Sequence, residues 1–305
     1  MPSLAVNLCG LKLSNPTILA SGIVGISRAS ISAAVRGGAG AVTTKSLSIE
    51  MRKGHPAPII LTFPGGMLNS VGYSNPGIDN IKDEYGDTSS VAAPVIGSLT
   101  GRNKEEYQAL AEKAAELDFA ALEVVLSCPH TPGYGTMAGL ATPEQTELIT
   151  RAVRALTKKP LLIKLSPNVM GITDLAKAAE AGGADGITAV NTGGPGMIID
   201  IRSRKPILGG KIGGVSGDAL RPIAVRCVYD IYEAVKIPII GTGGVLNGDH
   251  AIEMILAGAT AIGIGTGIYY RGIDVFKKVT EELRIFMESE GISELAEIRG
   301  AAHAA

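Results

Sequence analysis

Tryptophan is absent from this 305-residue chain, and phenylalanine occurs only four times against forty glycines. That imbalance implies many tight turns and close backbone approaches, as in alternating α/β folds with glycine-rich loops. Charge is scarce too: charged residues make up 19% and hydrophobic ones 46%, which excludes a disordered chain and fills a large core. A net charge of -1 gives no general attraction to nucleic acid or anionic lipid, so neither is expected as a partner. Cys9, Cys128 and Cys227 lie far apart with no C-x-x-C pair, which excludes a disulfide framework and a cysteine-ligated iron–sulfur cluster. Any such cluster belongs on another chain. His55, His130, His250 and His303 show no ligand spacing, so no metal centre is expected. Residues Met1 to Leu13 lack the apolar stretch of a signal peptide, and no later run approaches the ~20 apolar residues of a membrane span. The expected compartment is the cytoplasm.

What is present is a repeated alternation. Short apolar, β-branched runs occur at Thr17–Ala20, Ala41–Thr44, Pro94–Ser98, Ala121–Leu126, Leu161–Leu165, Gly186–Val190, Pro238–Thr242 and Ala261–Gly265. Between them, segments such as Lys104–Leu117, Pro143–Thr157, Ile172–Ala181 and Gly248–Ala257 carry apolar residues at helical spacing. Several helical segments end in glycine just before the next strand, as in Gly37-Gly38-Ala39-Gly40, Gly182-Gly183-Ala184 and Gly258-Ala259, where glycine accepts the left-handed conformation. Continuous apolar strands joined by helices require a parallel sheet buried on both faces. Eight such units predict a closed (β/α)8 TIM barrel occupying residues 1–305 as one domain, with an open doubly wound sheet as the alternative. Two connections, Ser46 to Ala93 and Asn191 to Gly217, are too long for simple turns and are expected as insertions at the carboxyl face of the barrel. A third, Ser127 to Ala141, is rich in proline and glycine and is expected as a lid or flexible loop.

Polar residues unsuited to a dry core stand where strands end: Lys45 after strand 2, Cys128 after strand 4, Lys164 in strand 5 and Asn191 after strand 6. In a barrel they converge on one mouth, the face that carries active sites. Each alone has a bland alternative, since a lone cysteine is usually core and a strand-end lysine can simply reach solvent. Two glycine-rich strand ends follow, Gly241-Thr242-Gly243-Gly244 and Gly263-Ile264-Gly265-Thr266-Gly267, each leading into helical sequence. Bare backbone N–H groups there can surround a phosphate, although tight turns would use glycine as well.

These residues carry a resemblance to the class 1 dihydroorotate dehydrogenases that runs along nearly the whole chain. NPTILASG around Ser21, TTKS around Lys45, NSVGYSNPG from Asn69, SCP around Cys128, KLSPN around Lys164, VNT around Asn191 and GGVSG ending at Gly217 all occur in order. The resemblance implies an FMN enzyme. Ser21, Lys45, Ser46, Lys164, Val190 and Gly217 would contact the flavin, and Gly243, Gly244, Gly265 and Thr266 its phosphate. The pyrimidine would rest on Lys45, on Asn69, Ser70, Val71, Gly72 and Tyr73, and on Asn191 and Thr192. Cys128 would remove the C5 proton of dihydroorotate while C6 passes hydride to flavin N5, with Lys164 placing positive charge near the ring. The implied partners are a second copy of the chain and a separate FAD and iron–sulfur subunit that passes electrons to NAD, as in class 1B. A sister branch uses fumarate, and the class 2 enzymes, with a serine base and a membrane-associating extension, resemble the chain less.

Strand 4 departs from the family pattern. N-x-S-C-P-N is usual, whereas this chain reads Val125-Leu126-Ser127-Cys128-Pro129-His130. Val125 removes a donor and an acceptor, and a pyrimidine polar group left without a partner costs about 1–3 kcal/mol. Ser98 likewise stands where asparagine is common near the flavin. Two alternatives stay open: a dihydropyrimidine dehydrogenase-like enzyme of different substrate, to which His130 is similar, and a non-catalytic flavin-binding paralogue.

Overall fold

The computed structural model describes residues 2–127 and 140–304. Eight strands close into a barrel: Thr17–Leu19, Ala41–Thr43, Val95–Leu99, Ala121–Val125, Leu161–Leu165, Gly186–Ala189, Ile239–Thr242 and Ala261–Ile264, called strands 1 to 8 in that order. Every neighbouring pair is parallel, and strand 8 pairs with strand 1 to close the ring. The expected barrel is present, and each end of each expected strand falls within one residue of the observed one. All eight strands are buried along their whole length, which their unbroken apolar runs required.

Four of the helices between strands begin at side-chain caps. Ser27 forms a capping box with Ser30, and the side chains of Asn103, Thr142 and Asn247 accept from the N–H groups of Glu106, Gln145 and His250. At three helix ends the left-handed conformation falls on Gly38, Gly183 and Gly258, with φ of 102°, 95° and 121°. The N–H of Gly38 then reaches Val35 O and that of Ala39 reaches Ala34 O, which satisfies carbonyls that the helix leaves open.

One face of the barrel is closed by an element absent from the sequence expectations. Val6–Leu8 and Leu11–Leu13 form an antiparallel hairpin. Its Leu8 and Leu13 pack in one apolar cluster with Ile18, Ala41, Ile96, Ala121, Leu162, Ile240 and Ala261, residues from the first half of seven barrel strands. The amino-terminal end of the barrel is therefore plugged by hydrocarbon, and polar interior residues are confined to the other half.

At the carboxyl end the two long insertions meet. Ile60–Phe63 and Gly66–Asn69 from the first pair with Gly213–Ser216 and Gly193–Gly196 from the second, making a four-stranded antiparallel sheet over the mouth. Of the loop expected as a lid, residues 128–139 lie outside the described residues, among them Cys128 and His130.

Candidate active site

A cavity at the carboxyl mouth is lined by residues from both glycine loops, the strand ends and the insertion sheet. Of the residues expected to hold flavin, Ser21, Lys45, Ser46, Lys164, Val190, Gly243, Gly244, Gly265 and Thr266 all face it. Of those expected to hold substrate, Asn69, Val71, Gly72, Tyr73, Asn191 and Thr192 do so as well. Two expected residues do not line it. Gly217 sits one residue beyond the lining Ser216, and its φ of 86° turns the chain toward Gly244, where an added Cβ would meet Gly217 O at 2.7 Å. Ser70 is fully buried, and its hydroxyl meets His55 Nδ1 at 2.9 Å behind the cavity wall.

Local bonds hold the wall in shape. Asn69 Nδ2 donates to Gly214 O across the insertion sheet at 3.4 Å. Asn191 Nδ2 donates to Ser127 Oγ at 3.0 Å, and Asn191 Oδ1 accepts from the N–H of Thr192 at 2.8 Å. Asn168 donates to Thr192 O and accepts from the N–H of Gly194, so the start of the second insertion is tied to the end of strand 5. Val125 lines the cavity beside Lys164, with which it is in register on the neighbouring strand.

Lys45, Glu123 and Lys164 are the buried charged side chains among the described residues, the last two within barrel strands and Lys45 just beyond strand 2. Inward-facing residues alternate along a strand, so Glu123 stands between Ala121 of the apolar plug and Val125 of the cavity. Its carboxylate accepts from Thr188 Oγ1 at 2.9 Å and from Ser98 Oγ at 3.4 Å, and its Oε1 lies 3.8 Å from Lys164 Nζ. Ser98 Oγ continues to Ser46 Oγ, and Ser46 Oγ to Ser21 Oγ, each at 3.0 Å. A polar chain thus descends from the mouth to the barrel centre. Sequence reasoning missed Glu123, although an acidic residue inside the apolar run Ala121-Leu122-Glu123-Val124-Val125 was a usable signal.

The mouth also carries open donors. Among the described residues, no group accepts a hydrogen bond from the backbone N–H of Gly244, Gly265 or Thr266. Thr242 Oγ1 is buried with no partner among the described residues. Gly243 and Gly244 have φ of 138° and 73°, a region that favours glycine, and side chains at either would strike Ala224 or Arg221. Such a cradle of bare N–H groups fits a phosphate, and the cavity beside it, with two lysines and the amides of Asn69 and Asn191, fits a polar planar ring.

The two described cysteines lie elsewhere. Burial pushes the thiol of Cys9 up to about 12, helped by the nearby charge of Asp185, and that of Cys227 up to about 11. Neither is a thiolate near neutral pH, and neither lines the mouth. Among the described residues, no group of three or more His, Cys, Asp or Glu is placed to hold a metal ion.

Comparison with known proteins matches this architecture. The dihydroorotate dehydrogenase family profile matches residues 3–287. The chain is 42% identical over 304 residues to the dihydroorotate dehydrogenase B (NAD(+)) catalytic subunit of Methanocaldococcus jannaschii, covering 98% of each chain. It is 44% identical over 299 residues to the protein of the same name from Pyrococcus abyssi, covering 98% of this chain and 99% of that one. A crystal structure of the Eimeria tenella enzyme in complex with ferulenol superposes with a TM-score of 0.83 at 23% identity, covering 100% of this chain and 90% of that one, a likeness of fold.

Proposed function

The chain belongs to the dihydroorotate dehydrogenase family, and from that premise we propose that it is an FMN-dependent enzyme oxidising dihydroorotate to orotate in pyrimidine biosynthesis, of the class 1B catalytic-subunit type. The observation that carries this reading is the convergence of Lys45, Lys164, Asn69, Asn191 and the two glycine loops on one cavity. The cradle of Gly243, Gly244, Gly265 and Thr266 would hold the phosphate, with Ser21, Lys45, Ser46, Lys164, Val190 and the neighbouring turn at Gly217 around the ring. When bound, FMN supplies the acceptor for the hydride that leaves C6 of the substrate.

The remaining chemistry falls to the chain's own residues. Asn69, Asn191 and Thr192 orient the pyrimidine by donors and acceptors fixed in advance by their bonds to Gly214, Ser127 and one another. Ser70 through Tyr73 shape the same wall, with Ser70 acting through His55 rather than by touching substrate. Lys45 supplies a buried cation for the substrate carboxylate, and Lys164 one for negative charge that collects on the flavin ring. Cys128, which follows strand 4 in the sequence, removes the C5 proton; of the two other thiols Cys9 is half-buried and Cys227 buried, both away from the mouth and held neutral.

The NAD(+) in the relatives' names and their description as catalytic subunits support a separate electron-transfer subunit carrying FAD and an iron–sulfur cluster. This chain has no C-x-x-C pair to ligate such a cluster itself. A homodimer in the cytoplasm completes the proposal; no described helix is long and apolar enough to cross a membrane.

Val125 on the cavity wall favours a second reading, a dihydropyrimidine dehydrogenase-like enzyme whose substrate does not need an amide there. Anaerobic addition of dihydroorotate and of dihydrouracil to the purified flavoprotein separates the two. Bleaching of the flavin absorbance by dihydroorotate, and not by dihydrouracil, is the expected result. Bleaching by dihydrouracil alone transfers the assignment, and bleaching by neither removes both.

A further inference from the structure

Glu123 is not part of the cavity wall, yet it lies directly beneath it. Its side chain is 3% exposed and that of Lys164 6%, with Oε1 and Nζ 3.8 Å apart. Two hydroxyls from different strands, Thr188 Oγ1 and Ser98 Oγ, fix the carboxylate in place. The pair therefore consists of an acid anchored in the barrel centre and a base whose charged end reaches the mouth. A buried carboxylate costs several kcal/mol to desolvate, so stability alone gives little reason to keep one where an apolar residue of similar volume would pack. The apolar layer one residue pair below shows that this barrel fills its interior with hydrocarbon where nothing polar is needed.

We infer that Glu123 is a positioning residue for the redox reaction: it holds Lys164 at the mouth, offsets part of its charge, and so would set how readily a bound flavin accepts electrons. This rests on the proposal that Lys164 faces the flavin. A lone lysine at this depth would draw negative charge onto the ring at full strength and hold the reduced flavin tightly. An anchored carboxylate 3.8 Å away lowers the field, which keeps the potential low enough for electrons to leave again toward an acceptor. The serine chain through Ser98 and Ser46 to Ser21 orients the Ser98 hydroxyl toward the carboxylate.

The test uses the FMN-loaded protein and two readouts that do not depend on turnover: the dissociation constant for sulfite, whose addition to oxidised flavin places negative charge on the ring, and the flavin midpoint potential. Wild type is compared with Glu123→Gln, Lys164→Met and the double variant. Glu123→Gln is expected to bind sulfite about tenfold more tightly and to raise the potential by about 30 mV, the two-electron equivalent of a tenfold change. Lys164→Met is expected to move both the other way, and the double variant to lie between Lys164→Met and wild type, because it also removes the carboxylate whose negative field remains when Lys164 alone is lost. A Glu123→Gln protein with wild-type sulfite affinity and potential, beside a shifted Lys164→Met, overturns the inference and leaves the site assignment standing. If Lys164→Met moves neither readout, the placement of Lys164 at the flavin fails, and the inference with it. Should Glu123→Gln alone not fold, the double variant, which buries neither charge of the pair, decides: a sulfite constant within about twofold of that of Lys164→Met overturns the claim.

Discussion

At Val125 a valine side chain faces the cavity beside Lys164, where the family pattern has an amide. Val125→Asn restores a donor and an acceptor to the wall, and orotate is expected to bind about fivefold more tightly, the equivalent of about 1 kcal/mol, in a titration followed by flavin absorbance. Weaker binding would show that the pyrimidine's polar groups already find partners elsewhere. The two described thiols make a pH prediction. Cys9 and Cys227 are raised from 9.0 to about 12 and about 11, chiefly by burial. An acid raised in the folded state stabilises the fold fully below its unfolded value, and that contribution is lost as pH rises through the folded values. Chemical denaturation midpoints should accordingly fall as pH climbs from 9 toward 11 and 12. Iodoacetamide at pH 8 should leave both residues unmodified in the native protein, as read by peptide mass spectrometry. Alkylation of Cys227 without unfolding would contradict its burial.

At the scale of elements, the amino-terminal hairpin is a plug, so its leucines should matter to stability and not to the site. Leu13→Ala removes a side chain 2% exposed within the apolar cluster and is expected to cost about 2–5 kcal/mol in urea unfolding, with the spectrum of bound flavin unchanged. A loss below about 0.5 kcal/mol would mean that the barrel closes without the plug. The hairpin was illegible in the sequence because strands of three residues are too short for alternation to register, and Cys9 and Gly10 at its turn carry positive φ without an Asn-Gly or Asp-Gly signal. The insertion sheet was illegible for another reason. Asn69 pairs with Gly214, and no local pattern announces a partner so distant in sequence. The barrel strands were legible because burial on both faces leaves an unbroken apolar run, and that same rule should have marked Glu123 as an exception with a purpose.

For the whole molecule, the architecture divides the barrel into a hydrocarbon half that supplies rigidity and a polar half that supplies chemistry. The mouth residues come from separate segments spread from Ser21 to Thr266, and only closure of the barrel brings them together. Their identities were legible through strand-end position and family likeness. Their arrangement was not: Ser70 turned out to support His55, and Gly217 to shape a turn beside Gly244. FMN and a pyrimidine are expected to share this one mouth. An experimental electron-density map of the FMN-loaded protein with orotate tests it most directly. The flavin phosphate is expected within hydrogen-bond distance of the N–H groups of Gly244, Gly265 and Thr266, and orotate against Asn69 and Asn191. A flavin bound elsewhere, or an orotate that touches neither asparagine, would contradict it.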